Sequence, residues 1–142
     1  MSDRDEAEIL RTALQAADSS YSPYSHFRVG AAAVWQTSGE LAVTLGCNVE
    51  NAFYEAAHAE VVAITNGVSQ GYRNLRAVYI ACPDAASDVS IEFVVPCGYC
   101  RQWMSEFSVG GDIEVVLVSA SADVRARYLL LRDLLPIPFR LR

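Results

Sequence analysis

Two short segments, His58-Ala59-Glu60 and Pro96-Cys97-Gly98-Tyr99-Cys100, constrain this chain most, because their reactive side chains can cooperate only if the fold joins two distant helix starts. The first thiol lies 39 positions beyond the imidazole. A spacing of three sets Cys97 and Cys100 on one face of a helix, and a helix N-terminus lowers the pKa of nearby thiols, favouring the thiolates a metal requires. One imidazole and two thiols with no fourth ligand beside them describe a metal that keeps a position open for water. Glu60 is then placed as an acid/base next to that water rather than as a ligand. The pattern is that of an enzyme.

Each half of the pattern has a commoner explanation on its own. A single His among alanines is usually a packed or surface residue, and an isolated C-x-x-C can be redox-active or half of a structural zinc knuckle. A knuckle needs a fourth ligand, and Cys47, Cys82 and His26 offer no second C-x-x-C spacing. Cys47 and Cys82 read as buried thiols at strands or strand ends.

Length and charge bound the setting. The chain's 142 residues suit a single domain, residues 1–142, and are too few for two ordinary ones. A net charge of −6 and a pI near 4.8 give no basic footprint for a phosphate backbone, which argues against a nucleic acid polymer as partner. No apolar run approaches the ~20 residues of a membrane span, and Met1-Ser2-Asp3-Arg4-Asp5-Glu6 is too polar to open a secretory signal. The expectation is a cytoplasmic protein without membrane association. There, a close C-x-x-C pair is read as metal or redox chemistry before a disulfide.

The hydrophobic pattern alternates between helical and strand periods. Ile9, Leu10, Ala13, Leu14 and Ala17 predict a first helix from Asp3 to about Asp18. After the turn-rich Ser20–Ser25, Val29–Gln36 and Leu41–Gly46 flank Thr37-Ser38-Gly39-Glu40 as a hairpin. A helix is expected from Ala56 to about Gln70, ending at Gly71, which puts His58 in its first turn. Leu75–Cys82 reads as a buried strand, Cys97–Phe107 as a helix with Pro96 at its start, Ile113–Ser119 as a strand, and Ala126–Leu134 as a helical turn. Helices packed on a mixed sheet follow from that order.

The order H-x-E followed by P-C-x-x-C matches the known signature of the zinc-dependent nucleobase deaminases. The chain resembles the small single-domain form of cytidine deaminase along nearly its whole length. Carrying the resemblance are Tyr21-Ser22-Pro23-Tyr24-Ser25-His26-Phe27-Arg28-Val29-Gly30-Ala31-Ala32, Gly46-Cys47-Asn48-Val49-Glu50-Asn51-Ala52, Pro96-Cys97-Gly98-Tyr99-Cys100-Arg101-Gln102, and Leu134-Leu135-Pro136 followed by Phe139. It implies a three-layer α/β/α fold with a mixed sheet of about five strands, and Zn2+ held by His58, Cys97 and Cys100. It also implies that Glu60 is the catalytic proton carrier, working from water to N3 of the cytosine and then to the departing amino group. Phe27 would form part of the pyrimidine pocket, the backbone of Ala59 would contact the base, and Val95 and Cys97 would face the leaving group. Asn48 and Glu50 would hold the ribose hydroxyls. Phe139 would close over the base of a neighbouring subunit, implying a homo-oligomer, with a tetramer favoured over a dimer. The implied function is hydrolytic deamination of cytidine or deoxycytidine to uridine or deoxyuridine plus ammonia, in pyrimidine salvage.

Three departures from the small-form pattern leave alternatives open. His58 stands where a third Cys is common, and Val61 where an Arg is common; the two are coupled by charge, since three thiolates give zinc a net −1 while one imidazole and two thiolates leave it near zero. The segment from Asn48 to His58 is one residue shorter than usual, with Glu55-Ala56-Ala57 after Tyr54, and the chain ends at Arg142 without an acidic tail. Apolar residues after the catalytic Glu and a short tail also occur in blasticidin S deaminases, where Glu55 could suit a cationic substrate side chain. A modified cytosine nucleoside is therefore the alternative substrate. A zinc-stabilised binding domain without catalysis is the alternative from another class, and the presence of Glu60 disfavours it.

Overall fold

In the computed structural model, residues 3–53, 55–86, 88–109, 112–118 and 126–141 are described. Helix α1 (Asp3–Ala16), extended by a 3-10 turn at Ala17–Ser19, precedes an antiparallel hairpin of β1 (Gly30–Gln36) and β2 (Leu41–Cys47). The hairpin closes where Thr37 N–H and Oγ1 both bond to the Glu40 carbonyl, at 3.0 and 2.6 Å. A two-residue pair, β3 (Val49–Glu50) with β4 (Ala56–Ala57), leads into α2 (Ala59–Ser69), then β5 (Leu75–Ala81), α3 (Gly98–Glu106), β6 (Glu114–Val118), β7 (Ala126–Leu130) and the single turn α4 (Leu131–Leu134).

The main sheet has five strands in the order β2-β1-β5-β6-β7 and is mixed, with β5 and β6 parallel and the other pairs antiparallel. Side chains alternate between its faces except at Leu75, where the β1/β5 register shifts between Val34 and Trp35. Ala31, Ala33, Trp35, Val78, Ile80, Val115 and Leu117 join α2 and α3 in one core cluster, whereas Ala32, Val34, Ala77, Tyr79, Val116 and Val118 meet α1 in another. The result is the expected α/β/α layering. β1 is buried along all but its last residue because both of its faces are covered.

Two glycines let helices press directly onto the sheet. A Cβ on Gly30 would lie 2.2 Å from the Ala13 carbonyl oxygen of α1, and one on Gly46 would lie 2.4 Å from the Ala59 carbonyl oxygen of α2. Gly46 thus sets the start of α2 against the sheet beside the first ligand. A buried chain of hydrogen bonds fixes the same contact: Trp35 Nε1 donates to Thr44 Oγ1 at 2.8 Å, which donates to the Ala63 carbonyl at 2.7 Å. An unpaired indole or hydroxyl there would cost about 1–3 kcal/mol.

Three boundaries differ from the sequence expectations. The helix expected from Ala56 begins only at Ala59, because Ala56 and Ala57 pair with Glu50 and Val49 as β4. The helix expected from Cys97 begins at Gly98, so Pro96 precedes the N-cap instead of opening the helix. The helical turn expected over Ala126–Leu134 is a strand through Leu130 and one helical turn after it. There the unpaired edge of β6 supplies ladder bonds that override the helix propensity of Ala, Arg and Leu. Gly71, with φ +94, ends α2 as its residue type requires. No helix among the described residues is long and apolar enough to cross a membrane.

Candidate active site and metal centre

His58 and Cys97 are the N-cap residues of α2 and α3, not members of their first turns. An N-cap residue has extended φ/ψ while its carbonyl already accepts the first helical bond, here from Val62 N–H and Arg101 N–H, both at 3.0 Å. Its side chain is thereby turned out from the helix end. His58 uses that freedom to bring Nδ1 to 3.4 Å from Cys97 Sγ and 3.2 Å from Cys100 Sγ, with the two sulfurs 3.6 Å apart. Tyr99 packs edge-on against the His58 ring, centroids 5.9 Å apart.

The donor set fits zinc. Tetrahedral bonds of about 2.3 Å to sulfur and 2.0–2.1 Å to nitrogen require donor separations of about 3.5–3.8 Å, close to those observed. Charge points the same way. Burial, then the Glu60 carboxylate and the Cys97 thiol, push Cys100 far above the ordinary thiol range, and no Lys or Arg is among the residues lining the adjoining cavity. The expected lowering by the helix N-terminus is outweighed at Cys100 by burial, so its thiolate needs a bound cation. His58, Cys97 and Cys100 form one potential metal-ligating group among the described residues.

That group opens onto a cavity of about 200 Å³, walled by Phe27, Val29, Asn48, Ala59, Glu60 and Val95 among others. The cavity lies beyond the C-terminal end of β5, the usual place for a ligand crevice in an α/β sheet. Glu60, in the first turn of α2, is 6 % exposed and lines the cavity beside His58. The amide N–H groups of that first turn lack partners within the helix and lend positive character to the same spot. Cys82 also lines the cavity, and burial pushes its thiol up to about 12, so it stays neutral. This agrees with its reading as a buried strand-end thiol.

The remaining expected site residues divide between wall and support. Phe27 packs on the larger core cluster and lines the cavity. Asn48 lines it too, but its side chain also braces the loop: Oδ1 accepts from Ser20 Oγ at 2.6 Å and Val29 N–H at 2.8 Å, and Nδ2 donates to the Phe27 carbonyl at 2.9 Å. One amide hydrogen of Asn48 remains for a ligand. Glu50 is not among the lining residues; it accepts from Tyr24 N–H at 2.9 Å, Ser25 N–H at 3.1 Å and the Ser25 hydroxyl. The Ser25 bond, foremost, holds its carboxyl below the usual range. Phe139 is 68 % exposed and absent from its own chain's cavity. Glu55 is exposed and likewise off the wall, so it does not fit the cavity for a cationic substrate side chain.

Sequence reasoning assigned no role to two supporting groups. Arg101 donates from Nε to the Pro96 carbonyl at 2.7 Å, fixing the loop that carries Cys97. Arg28 grips Asp84 with Nη2 at 2.7 Å and backbone N–H at 2.8 Å, pinning the residue after Phe27 to the loop beyond β5. A cation directly after a ligand, or after a pocket aromatic, was the available signal in both cases.

Comparison with known proteins agrees with this geometry. Residues 3–117 match the model of the cytidine and deoxycytidylate deaminase zinc-binding region. A protein named probable cytidine deaminase from Dictyostelium discoideum is 40% identical over 116 residues, covering 78% of this chain and 71% of its own. Cytidine deaminase from Mycobacterium tuberculosis is 36% identical over 144 residues, covering 99% and 94%. A crystal structure of cytidine deaminase from Burkholderia pseudomallei superposes with a TM-score of 0.76 at 34% identity, covering 98% of this chain and 100% of that one. The His-Cys-Cys group therefore sits in the zinc-binding region of a known fold, and the chain belongs to the cytidine and deoxycytidylate deaminase zinc-binding family.

Proposed function

We propose that the chain catalyses hydrolytic deamination of cytidine and deoxycytidine to uridine and deoxyuridine, releasing ammonia, as a salvage enzyme of the cytoplasm. Residues 1–142 would form its single catalytic domain, assembled as a homo-oligomer with a tetramer favoured. The observation that carries this reading is the buried Glu60 on the wall of one cavity with His58 and Cys97, two members of a three-donor metal group.

His58, Cys97 and Cys100 hold Zn2+, which when bound supplies activation of a water at neutral pH. Glu60 accepts a proton from the attacking water and delivers it to N3 of the cytosine, making C4 electrophilic. After the water oxygen bonds to C4, Glu60 takes the remaining proton from that oxygen and passes it to the amino group, and the C4–N bond breaks as ammonia leaves and C4 keeps the oxygen as a carbonyl. Phe27 packs against the pyrimidine, and the backbone of Ala59 at the α2 start orients the base. The free amide hydrogen of Asn48 and the remaining lone pairs of Glu50 hold the ribose hydroxyls. Phe139 covers the base in a neighbouring subunit, which accounts for its exposure on its own chain.

The test is ammonia release from cytidine by Glu60→Gln. The substitution should retain zinc and lower kcat by about 10²–10⁴-fold. Wild-type turnover by the zinc-loaded variant would remove Glu60 from the reaction.

A further inference from the structure

The two residues that follow Cys100 both reach away from the metal group to the C-terminal segment. Arg101, besides holding Pro96, donates from Nη1 to the Leu134 carbonyl at 2.9 Å. Gln102 donates from Nε2 to the Phe139 carbonyl at 2.8 Å, and its Oε1 accepts from Phe139 N–H at 3.1 Å. One primary amide thus satisfies both backbone polar groups of one residue, a pairing that a neighbouring strand would ordinarily supply.

Such a clamp is unexpected on an exposed residue. Phe139 is 68 % exposed, and its neighbours Ile137 and Leu141 are 88 % and 87 % exposed. Pro136 and Pro138 stiffen the segment but remove two N–H donors that could have anchored it. Packing within its own chain does not require the ring to be fixed. A backbone held in place beneath an exposed ring serves a surface the ring presses against.

We propose that Gln102 is a positioning residue for nucleoside binding. By clamping the N–H and C=O of Phe139 it sets the ring that covers the base in a neighbouring copy, and with Arg101 it ties that ring to the helix carrying Cys100. The inference rests on the reading of Phe139 given above. Gln102 touches neither metal nor substrate, so its effect falls on KM and passes through Phe139.

The experiment uses four zinc-loaded enzymes: wild type, Gln102→Met, Phe139→Ala and the double variant. Each is measured for KM and kcat on cytidine, zinc content and oligomeric state. Met keeps the size and helix propensity of Gln without its hydrogen bonds. Gln102→Met is expected to raise KM about five- to tenfold with kcat within about twofold and zinc unchanged, and to add nothing in the Phe139→Ala background. Gln102→Glu, which sets a carboxylate against the Phe139 carbonyl, should move KM the same way. Unchanged KM in both Gln102 variants, with a raised KM in Phe139→Ala, would overturn the clamp and leave the reading of Phe139 standing. A Gln102 effect persisting in full without the ring, or accompanied by zinc loss, would assign it a merely structural role. Unchanged KM in Phe139→Ala would remove the reading of Phe139 and the clamp with it.

Discussion

His58 and Val61 make sense together. An imidazole and two thiolates leave Zn2+ near zero net charge, so a guanidinium beside it has no charge to offset. Val61 instead packs, half-buried, on the larger core cluster. An arginine there would bury an uncompensated cation next to a neutral centre. Val61→Arg is therefore expected to lower zinc affinity by about tenfold or more, with activity falling in step; metal analysis after dialysis against a weak chelator measures it. Unchanged metal content and turnover would show that the side chain escapes to solvent and that charge does not couple the two positions. At this scale the meeting of His58, Cys97 and Cys100 near Glu60 was legible in the sequence, because few residue types suit an open metal position with an acid/base beside it. The bracing bonds of Asn48 and Glu50 were not, since an amide or carboxylate that holds a loop looks the same in sequence as one that holds a sugar.

Two helix starts and one pinned loop set the site's geometry. The near-continuous apolar runs of β1, β5 and β6 and the period of α1 were readable because burial dictates them. The starts of α2 and α3 were not, because β4 and the N-caps depend on pairing with β3 and on the convergence of distant donors. β7 escaped for a related reason: only the free edge of β6 makes Ala126–Leu130 extended. The Phe27 loop hangs on Arg28 and Asp84, whose carboxyl the guanidinium hydrogen bond holds below its usual range. The sign follows from that lowering. The pair contributes at neutral pH, above the ordinary carboxylate pKa, and its contribution is lost as pH falls through the lowered value. Asp84→Asn imitates the acid limit at neutral pH. Because the pair is partly exposed, KM for cytidine should rise only about two- to threefold with zinc unchanged. An unchanged KM would mean that core packing alone holds Phe27.

For the molecule as a whole, the sheet places the starts of α2 and α3 on one face, and the metal then joins segments far apart in sequence. A ligand bound only by the folded chain stabilises it by mass action. The buried Cys100 and Glu60 that crowd this spot make the same region unfavourable without a cation. Catalysis and stability should therefore share one metal dependence. The decisive measurement is cytidine turnover by protein stripped of metal and by the same protein reloaded with zinc. The expected result is loss of ammonia release on stripping and its recovery at about one zinc per chain, with a rise in melting temperature over the same titration. Metal-free protein that deaminates cytidine at the reloaded rate, or folded and zinc-loaded protein that deaminates no cytosine nucleoside, would contradict it.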